Sequence, residues 1–176
     1  MRALQVQDHS QKPVFLDRSI PTLAAKQILI RTAACALNFA DLLMIRGTYQ
    51  ETPALPFTLG MEVAGEVVDL GAEVTDFQIG DRVAGFAGSG GLAEYCPIEA
   101  TRCLKLTDGM PFDTAASALI SYGTSHLALT HRAKLTSDDT LLVLGAGGGV
   151  GLTAVEIGAA LGARVIAVAR GSEKLQ

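Results

Sequence analysis

The chain has 176 residues, of which 49% are hydrophobic, and carries a formal net charge of −4. This size and composition predict one or two soluble domains with a substantial core. The acidic balance offers no basic face that favours a nucleic acid or an anionic membrane as main partner. No apolar run approaches the length of a membrane span, and the first residues have no apolar signal-peptide region.

Residues 1–115 are predicted to form a β-rich domain. Its strand candidates are the runs "ILIRTAACAL", "MEVAGEVVDL", "RVAGFAG", "LAEYCPI" and "CLKLT", which are separated by turn-forming residues. Short strands at this spacing favour a compact, barrel-like domain. One short helix is predicted over Phe39–Arg46, with Phe39, Leu42, Leu43 and Arg46 on one face.

The three cysteines, Cys35, Cys96 and Cys103, are an odd number without close spacing. We interpret them as buried thiols of a cytoplasmic protein. The alternative is that they contribute to a metal cluster.

Residues 116–176 show an α/β pattern. "FDTAASALISYGTSHLALTHRA" (112–133) has helical periodicity, and Gly123 is expected to break that helix. "TLLVLG" (140–145) and "ARVIAVA" (163–169) predict parallel strands buried on both faces. The helix between them is predicted to end at Gly162 and to have an apolar side formed by Val150, Ala154, Ile157 and Leu161.

The glycine-rich turn between this strand and this helix is predicted to bind phosphate. A glycine turn at a helix start lets backbone N–H groups and the positive helix end approach an anion. Ala146, Gly148 and Gly151 follow an A-x-G-x-x-G variant of the dinucleotide-binding pattern. The predicted cofactor residues of the turn are Gly147, Gly148, Gly149 and Val150. The alternative is a glycine-rich turn without a ligand.

The end of the second strand indicates NADPH as the cofactor. An NAD site usually has an acidic residue here to hold the ribose hydroxyls, whereas this chain has Ala169 followed by Arg170. Arg170, Ser172 and Lys174 are predicted to bind the 2′-phosphate. Alternatively, Arg170 and Lys174 are ordinary solvated charges.

Several motifs resemble those of the medium-chain dehydrogenase/reductase superfamily, above all its zinc-independent quinone oxidoreductases related to zeta-crystallin. The matching stretches are "ALNFADLLMIRGTY", "LPFTLGMEVAGEVVDLG", "GDRV", "GGLAEY", "YGTSHLAL" and "GAGGGVGLTAVEIGAALGARVIAVA". The resemblance implies an α/β protein with a GroES-like catalytic domain over residues 1–115. The first half of a Rossmann NADPH-binding domain, with a doubly wound parallel sheet, would follow over residues 116–176. We expect a truncated chain, and a homodimer for the full-length protein.

The resemblance also argues against a metal. Zinc-dependent alcohol dehydrogenases of this superfamily have a cysteine where this chain has Asn38 and a histidine where it has Met61. Their third ligand position falls near Ile120, and these three side chains cannot form a catalytic zinc site. Their structural-zinc lobe needs four closely spaced cysteines, which this sequence lacks.

The implied activity is hydride transfer from NADPH to a quinone or an activated alkene. The family pattern places Asn38 and Tyr49 beside the nicotinamide and the acceptor, and Thr124 at a cofactor contact. Asn38 would donate through its amide; alternatively it is a helix cap and Tyr49 a surface aromatic. Leu43 stands where some relatives have a tyrosine, so the acceptor stays open.

Two alternative functions remain. The first is a different enzyme activity, reduction of the double bond of an enone or 2-alkenal. The second is not an enzyme activity: the chain would be a truncated, non-catalytic relative that binds NADPH, has a structural role or interferes with dimers. Its motivation is the chain's end at Gln176, after what looks like the first turn of a helix capped by Ser172.

Overall fold

The computed structural model describes residues 1–171. The chain divides into two compact units, Met1–Ser117 and Ala118–Gln176. The division expected from the sequence, between residues 115 and 116, lies two residues earlier. The helix expected to begin at Ser172 lies outside the described residues.

The first unit is built mainly from short strands. These are β1 (Arg2–Val6), β2 (Val14–Asp17), β3 (Gln27–Ala36), β4 (Phe57–Thr58), β5 (Glu62–Leu70), β6 (Arg82–Phe86), β7 (Tyr95–Glu99) and β8 (Cys103–Lys105). Helix α1 (Phe39–Ile45) follows β3, and a 3₁₀ turn (Ala100–Arg102) precedes β8. The predicted runs overlap β3 and β5 to β8, whereas β1, β2 and β4 were not predicted.

The strands form two antiparallel sheets. One has the order β7-β3-β5-β6-β8 and the other the order β2-β1-β4. The ten-residue strand β3 pairs with β7 on one side and with β5, the middle strand of the larger sheet, on the other. Apolar side chains of this sheet form the core of the first unit: Ile28, Ile30, Val63, Val67, Val83, Cys96, Ile98 and Cys103.

Helix α1 begins at Phe39, as predicted, but buries a different face. Phe39 is 74% exposed and Leu42 is 51% exposed, whereas Asp41 and Met44 are buried. Asp41 is drawn inward because its carboxylate accepts backbone hydrogen bonds from Asn38 and Gly60. Local capping therefore overrides the apolar periodicity from which the face was predicted.

The elements beyond residue 111 contain the predicted β-α-β unit. They are α2 (Phe112–His126), a π-helical segment (Leu127–Arg132), β9 (Thr140–Leu144), α3 (Gly149–Ala160) and β10 (Arg164–Val168). Strands β9 and β10 pair in parallel, from Thr140 opposite Arg164 to Leu144 opposite Val168. The parallel pairing is confirmed. The predicted break at Gly123 is wrong, because α2 continues through Gly123 and changes to π-helical geometry only at Leu127.

The predicted burial of these strands on both faces is also wrong for the described residues. Val143 is buried, but its neighbours Leu142 and Leu144 are 56% and 73% exposed. Successive side chains of a strand point to opposite faces, so one face of the pair is packed and the other is exposed.

The predicted apolar side of α3 is only partly correct. Its capping residue Leu161 and its first-turn residue Val150 are exposed, whereas Thr153 and Gly158 are the buried positions of the helix. Gly162 follows the cap with a positive φ of 81°, as expected for the residue that ends a helix. Among the helices within residues 1–171, none has the length and hydrophobicity needed to cross a membrane.

Candidate functional site

The glycine turn between β9 and α3 is held by backbone hydrogen bonds. The N–H groups of Gly145 and Ala146 donate to the Val168 carbonyl at 2.9 and 3.0 Å, and the Gly148 N–H donates to the Gly145 carbonyl at 3.0 Å. Gly148 is the N-cap of α3. The first-turn N–H groups that follow it have no partner inside the helix and are available to an anion.

This turn and the end of β10 form one cleft. Gly145, Gly147, Gly148, Ala169 and Arg170 line it, and its volume is about 170 Å³. The structure therefore brings together three predicted cofactor residues: Gly147, Gly148 and Arg170. The other two described members of that set in this region, Gly149 and Val150, form the first turn of α3. Ser172 and Lys174 lie outside the described residues.

Two glycines of the turn differ in what surrounds them. Gly148 has extended dihedral angles (φ −94°, ψ 164°), and within residues 1–171 an added Cβ would meet only the Gly145 carbonyl oxygen, at 3.5 Å. A Cβ on Gly151 would lie 2.3 Å from that same oxygen, closer than atoms can approach. Gly151 is thus required by the packing of the turn, whereas Gly148 leaves open space that suits a phosphate group.

A buried hydroxyl pair supports the start of α3, and it was not predicted from the sequence. The Ser125 Oγ lies 2.8 Å from the Val150 carbonyl and 2.9 Å from Thr153 Oγ1. Thr153 Oγ1 in turn lies 3.0 Å from the Ser121 carbonyl. These contacts join α2 to the first turn of α3. Nothing in the sequence distinguishes Ser125 from the other polar residues of α2, such as Ser121 and Thr124.

Thr124 is the neighbour of Ser125 on α2 and was the residue predicted to contact the cofactor. It is exposed, whereas Ser125 is buried. The structure therefore gives adjacent positions on α2 different surroundings: Ser125 faces α3 and Thr124 faces outward.

Asn38 lies at the N-terminus of α1 within a network of buried acids. Its backbone N–H donates to Asp41 Oδ2 at 2.8 Å, and its side-chain Nδ2 donates to Glu62 Oε1 at 3.0 Å. Asp41 also accepts from the Gly60 N–H at 3.1 Å. Asp41 and Glu62 are only 3% and 1% exposed. Asn38 is thus a helix cap, as in the alternative interpretation, while its side chain binds a separate partner.

A mostly apolar cavity of about 510 Å³ borders Asn38. It is lined by Leu4, Pro13, Leu37, Asn38, Phe39, Asp41, Leu42, Ile45, Leu59 and Leu92. Both carboxylate oxygens of Asp41 already accept backbone hydrogen bonds, so Asn38 supplies the main polar group of the lining. Tyr49, half-buried in the segment after α1, is not part of this lining.

The cysteines are free thiols with little nucleophilic character. Burial raises the pKa of Cys35 to about 12, and the nearby negative charges of Asp41 and Glu62 act in the same direction. Burial likewise raises the pKa values of Cys96 and Cys103 to about 12. These thiols are therefore protonated at neutral pH and are poor metal ligands.

At the two first-unit positions where the zinc-dependent alcohol dehydrogenases have a cysteine and a histidine, this chain has Asn38 and Met61. Asn38 donates its amide to Glu62, and Met61 is buried. Within residues 1–171, no group of three or more His, Cys, Asp or Glu side chains could hold a metal ion. The absence of zinc stays a prediction.

Comparison with known proteins identifies relatives over almost the whole chain. The alcohol dehydrogenase GroES-like domain matches residues 24–108. A quinone oxidoreductase-like protein 2 homologue of Nematostella vectensis is 42% identical over 168 residues, which cover 93% of this chain and 46% of that protein.

Solved structures of similar proteins also match almost the whole chain. The quinone oxidoreductase of Thermus thermophilus, whose complex with NADPH is also known, has a TM-score of 0.88 at 33% identity. The match covers 99% of this chain and 55% of that one. CurK enoyl reductase has a TM-score of 0.87 at 28% identity, over 98% of this chain and 55% of that one.

The chain spans about half the length of these relatives. The GroES-like match falls within the β-rich first unit, and the structural match to the Thermus protein extends over both units. The chain therefore belongs to the quinone oxidoreductases of the medium-chain dehydrogenase/reductase superfamily, a family of oxidoreductase enzymes.

Proposed function

We propose that the chain carries the cofactor-phosphate site and an acceptor-binding residue of a zinc-independent, NADPH-dependent reductase of quinones. The observation that carries this proposal is the cleft of Gly145, Gly147, Gly148, Ala169 and Arg170 at the start of α3. Its open helix N-terminus suits a pyrophosphate. The NADPH complex of the Thermus relative supports the same assignment.

NADPH is proposed over NADH because of the two residues after β10. Ala169 places no carboxylate at the position where an NAD site usually has one, so this residue does not repel a 2′-phosphate. Arg170 lines the same cleft and can hold a phosphate with its planar guanidinium. Ser172 and Lys174, which lie outside the described residues, are kept as proposed ligands of the 2′-phosphate.

When bound, NADPH would supply the hydride, and the protein would supply position and polarity. One of the two Nδ2 hydrogens of Asn38 is held by Glu62, which leaves the second to donate to an acceptor oxygen on which negative charge develops. The apolar cavity lining beside Asn38 favours an uncharged ring as acceptor. Tyr49 and Thr124 are kept as proposed acceptor and cofactor contacts.

A second candidate is reduction of an enone double bond. The structural likeness to CurK enoyl reductase favours it, and such a reaction needs the same hydride source and the same apolar surroundings. For the whole protein we propose a cytoplasmic homodimer that acts on a small molecule.

The test is NADPH oxidation by the purified protein with a panel of quinones and a panel of enones. Quinone reduction is expected to be the faster activity, with NADPH preferred to NADH. Faster turnover of enones would favour the second candidate. Binding of NADPH without turnover of any acceptor would favour a non-catalytic NADPH-binding protein, and failure to bind NADPH would contradict the proposal.

A further inference from the structure

A nearly inaccessible carboxylate contacts the side chain of the proposed acceptor-binding residue. Glu62, the first residue of β5, is 1% exposed and accepts a hydrogen bond from Nδ2 of Asn38 at 3.0 Å. Glutamate is almost never buried so completely unless it is paired or hydrogen-bonded, because desolvating a carboxylate is costly. The contact with Asn38 therefore needs a reason beyond packing.

Capping of α1 does not supply that reason. Asn38 is the N-cap residue, and Asp41, three residues later, supports the cap because its Oδ2 accepts from the Asn38 backbone N–H at 2.8 Å. Asp41 also accepts from the Gly60 N–H, which ties the start of α1 to the residues before β5. The backbone of Asn38 is thus already held, and Glu62 adds a constraint on its side chain alone.

The chemistry of the pair fixes the direction of the amide. An ionised carboxylate only accepts hydrogen bonds, whereas an asparagine side chain donates from nitrogen and accepts at oxygen. Next to Glu62, only the nitrogen of Asn38 can face inward with a favourable contact. The flipped amide would place its oxygen against the carboxylate and would be repelled.

We propose that Glu62 is a positioning residue that holds the Asn38 amide in one orientation, so that its remaining N–H hydrogen is presented to the hydride acceptor. This inference rests on the proposed function, because it assigns Glu62 a role in the same reaction. A donor that is already oriented does not lose rotational freedom as the acceptor becomes charged. Glu62 would therefore act on turnover through Asn38 and would not touch the substrate.

The test is a double-mutant cycle on kcat and KM in the purified protein, with Glu62→Gln, Asn38→Ala and the two combined. Glutamine has the size of glutamate but presents both an oxygen and an NH₂ group, so it tolerates both amide orientations. Glu62→Gln should lower kcat about three- to tenfold and leave KM for NADPH within about twofold. In the Asn38→Ala background the same change should have no further effect on kcat.

The matched control is Glu66→Gln on the same strand. Glu66 pairs with Arg31 at the surface, away from the Asn38 network, and this variant should keep the parental kcat. Melting temperatures of all variants show whether they fold. Should Glu62→Gln not fold, Glu62→Asp, which withdraws the carboxylate by one methylene, should cause the same loss of kcat.

The side-chain NH₂ resonances of Asn38 give a readout that does not need activity. A hydrogen held by a carboxylate should exchange slowly with water, and both resonances should move in Glu62→Gln but not in Glu66→Gln. The positioning role would be overturned if the fold-losses of kcat in the two single mutants multiply in the double mutant. It would also be overturned if Glu62→Gln leaves the Asn38 resonances unchanged. If the parent reduces no acceptor, the proposed function fails, and the resonances alone decide whether Glu62 positions Asn38.

Discussion

The hydroxyl oxygens of Ser125 and Thr153 lie 2.9 Å apart in the interior of the second unit, directly behind the glycine turn. Between them they contact the carbonyl groups of Ser121 on α2 and of Val150 on α3. Because Val150 belongs to the first turn of α3, the position of the proposed phosphate site depends on this pair. Both residues are buried, so loss of either hydroxyl removes hydrogen bonds from a site that water does not readily reach.

We expect Thr153→Val to destabilise the protein by about 1–2 kcal/mol, since it keeps the side-chain volume but removes the hydroxyl from a buried network. It should also weaken NADPH binding, because the first turn of α3 loses a support. The control is Thr130→Val, whose exposed hydroxyl bonds to His126 of the preceding turn, and whose cost should be under about 0.5 kcal/mol. Urea unfolding measures both. Equal stability of the two variants would show that the pair is unimportant.

The two glycines of the turn should respond differently to substitution. Gly148→Val should leave the fold intact, because a Cβ there meets the Gly145 carbonyl oxygen at ordinary contact distance. It should nevertheless weaken NADPH binding severely, since the side chain would occupy the space of the pyrophosphate. Affinity within about threefold of the parent, or about 0.6 kcal/mol, would place the phosphate elsewhere.

Gly151→Ala should harm the fold itself. Its Cβ would lie 2.3 Å from the Gly145 carbonyl oxygen and 2.8 Å from the Cα of Ala146, so the turn has to move. We expect both a lower melting temperature and weaker NADPH binding. A variant with parental stability would show that the turn can adjust at little cost.

Cofactor preference should depend on the residues after β10. Ala169→Asp combined with Arg170→Ala should abolish or reverse the preference for NADPH, because it adds repulsion and removes a phosphate ligand. A single well-formed charged contact to the phosphate contributes about 1.5–3 kcal/mol, or roughly ten- to hundredfold in affinity. The measurement is the ratio of kcat/KM for NADPH and NADH.

Arg164→Ala, at the opposite end of β10, is the matched control and should keep the parental ratio. A parental ratio near one, or a double mutant that retains the parental preference, would show that Ala169 and Arg170 do not select the cofactor.

Metal analysis of the purified protein should find well below one zinc per chain, and chelators should leave activity unchanged. The reason lies in the donor groups, since an asparagine amide and a methionine replace the cysteine and histidine of the metal-using relatives at positions 38 and 61. Stoichiometric zinc near Asn38 would contradict this expectation.

The buried thiols predict a loss of stability in alkaline solution. The pKa values of Cys35, Cys96 and Cys103 are raised from 9.0 to about 12 in the folded protein. As the pH rises, the unfolded chain releases the thiol protons before the folded protein does. The contribution of the thiols to the free energy of unfolding is therefore fully present below about pH 9 and is lost as the pH rises towards 12. In that pH window, each thiol that is ionised only in the unfolded chain lowers the free energy of unfolding by about 1.4 kcal/mol per pH unit.

Unfolding free energies between about pH 8 and pH 10.5 measure this slope. Cys96→Ala should make it shallower, because Cys96 is completely buried, although the cavity lowers stability at every pH. The same slope in parent and variant would show that Cys96 does not release a proton on unfolding.

The sequence predicted the strands of the larger sheet because their apolar residues follow the pattern of a packed β-sheet. Strand β4 has only two residues and is defined by its pairing with β1, so no local pattern could indicate it. The faces of α1 were assigned wrongly because hydrophobic periodicity takes no account of a buried carboxylate that accepts backbone hydrogen bonds, as Asp41 does.

The candidate sites were predictable where a local backbone motif forms them. The glycine turn lies beside Arg170 because parallel pairing of β9 and β10 brings their carboxyl ends together. The bond between Glu62 and Asn38, and the pair of Ser125 and Thr153, join residues distant in the sequence. Single polar residues in apolar surroundings do not reveal such partners before the fold is known.

The arrangement of the larger sheet also constrains the order in which the protein can form during synthesis. Arg31 of β3 pairs with Tyr95, and Gly85 of β6 pairs with Cys103. These two strands therefore do not both have a neighbour on each side until the chain has left the ribosome to about residue 105. Before β7 is available, Ile28 and Ile30 lie on a strand, β3, that lacks one of its two neighbouring strands. The nascent chain therefore has an interval in which an apolar strand edge is open to chaperones or to other nascent chains. A ribosome that pauses within that interval would prolong this exposure, and one that pauses beyond it would not.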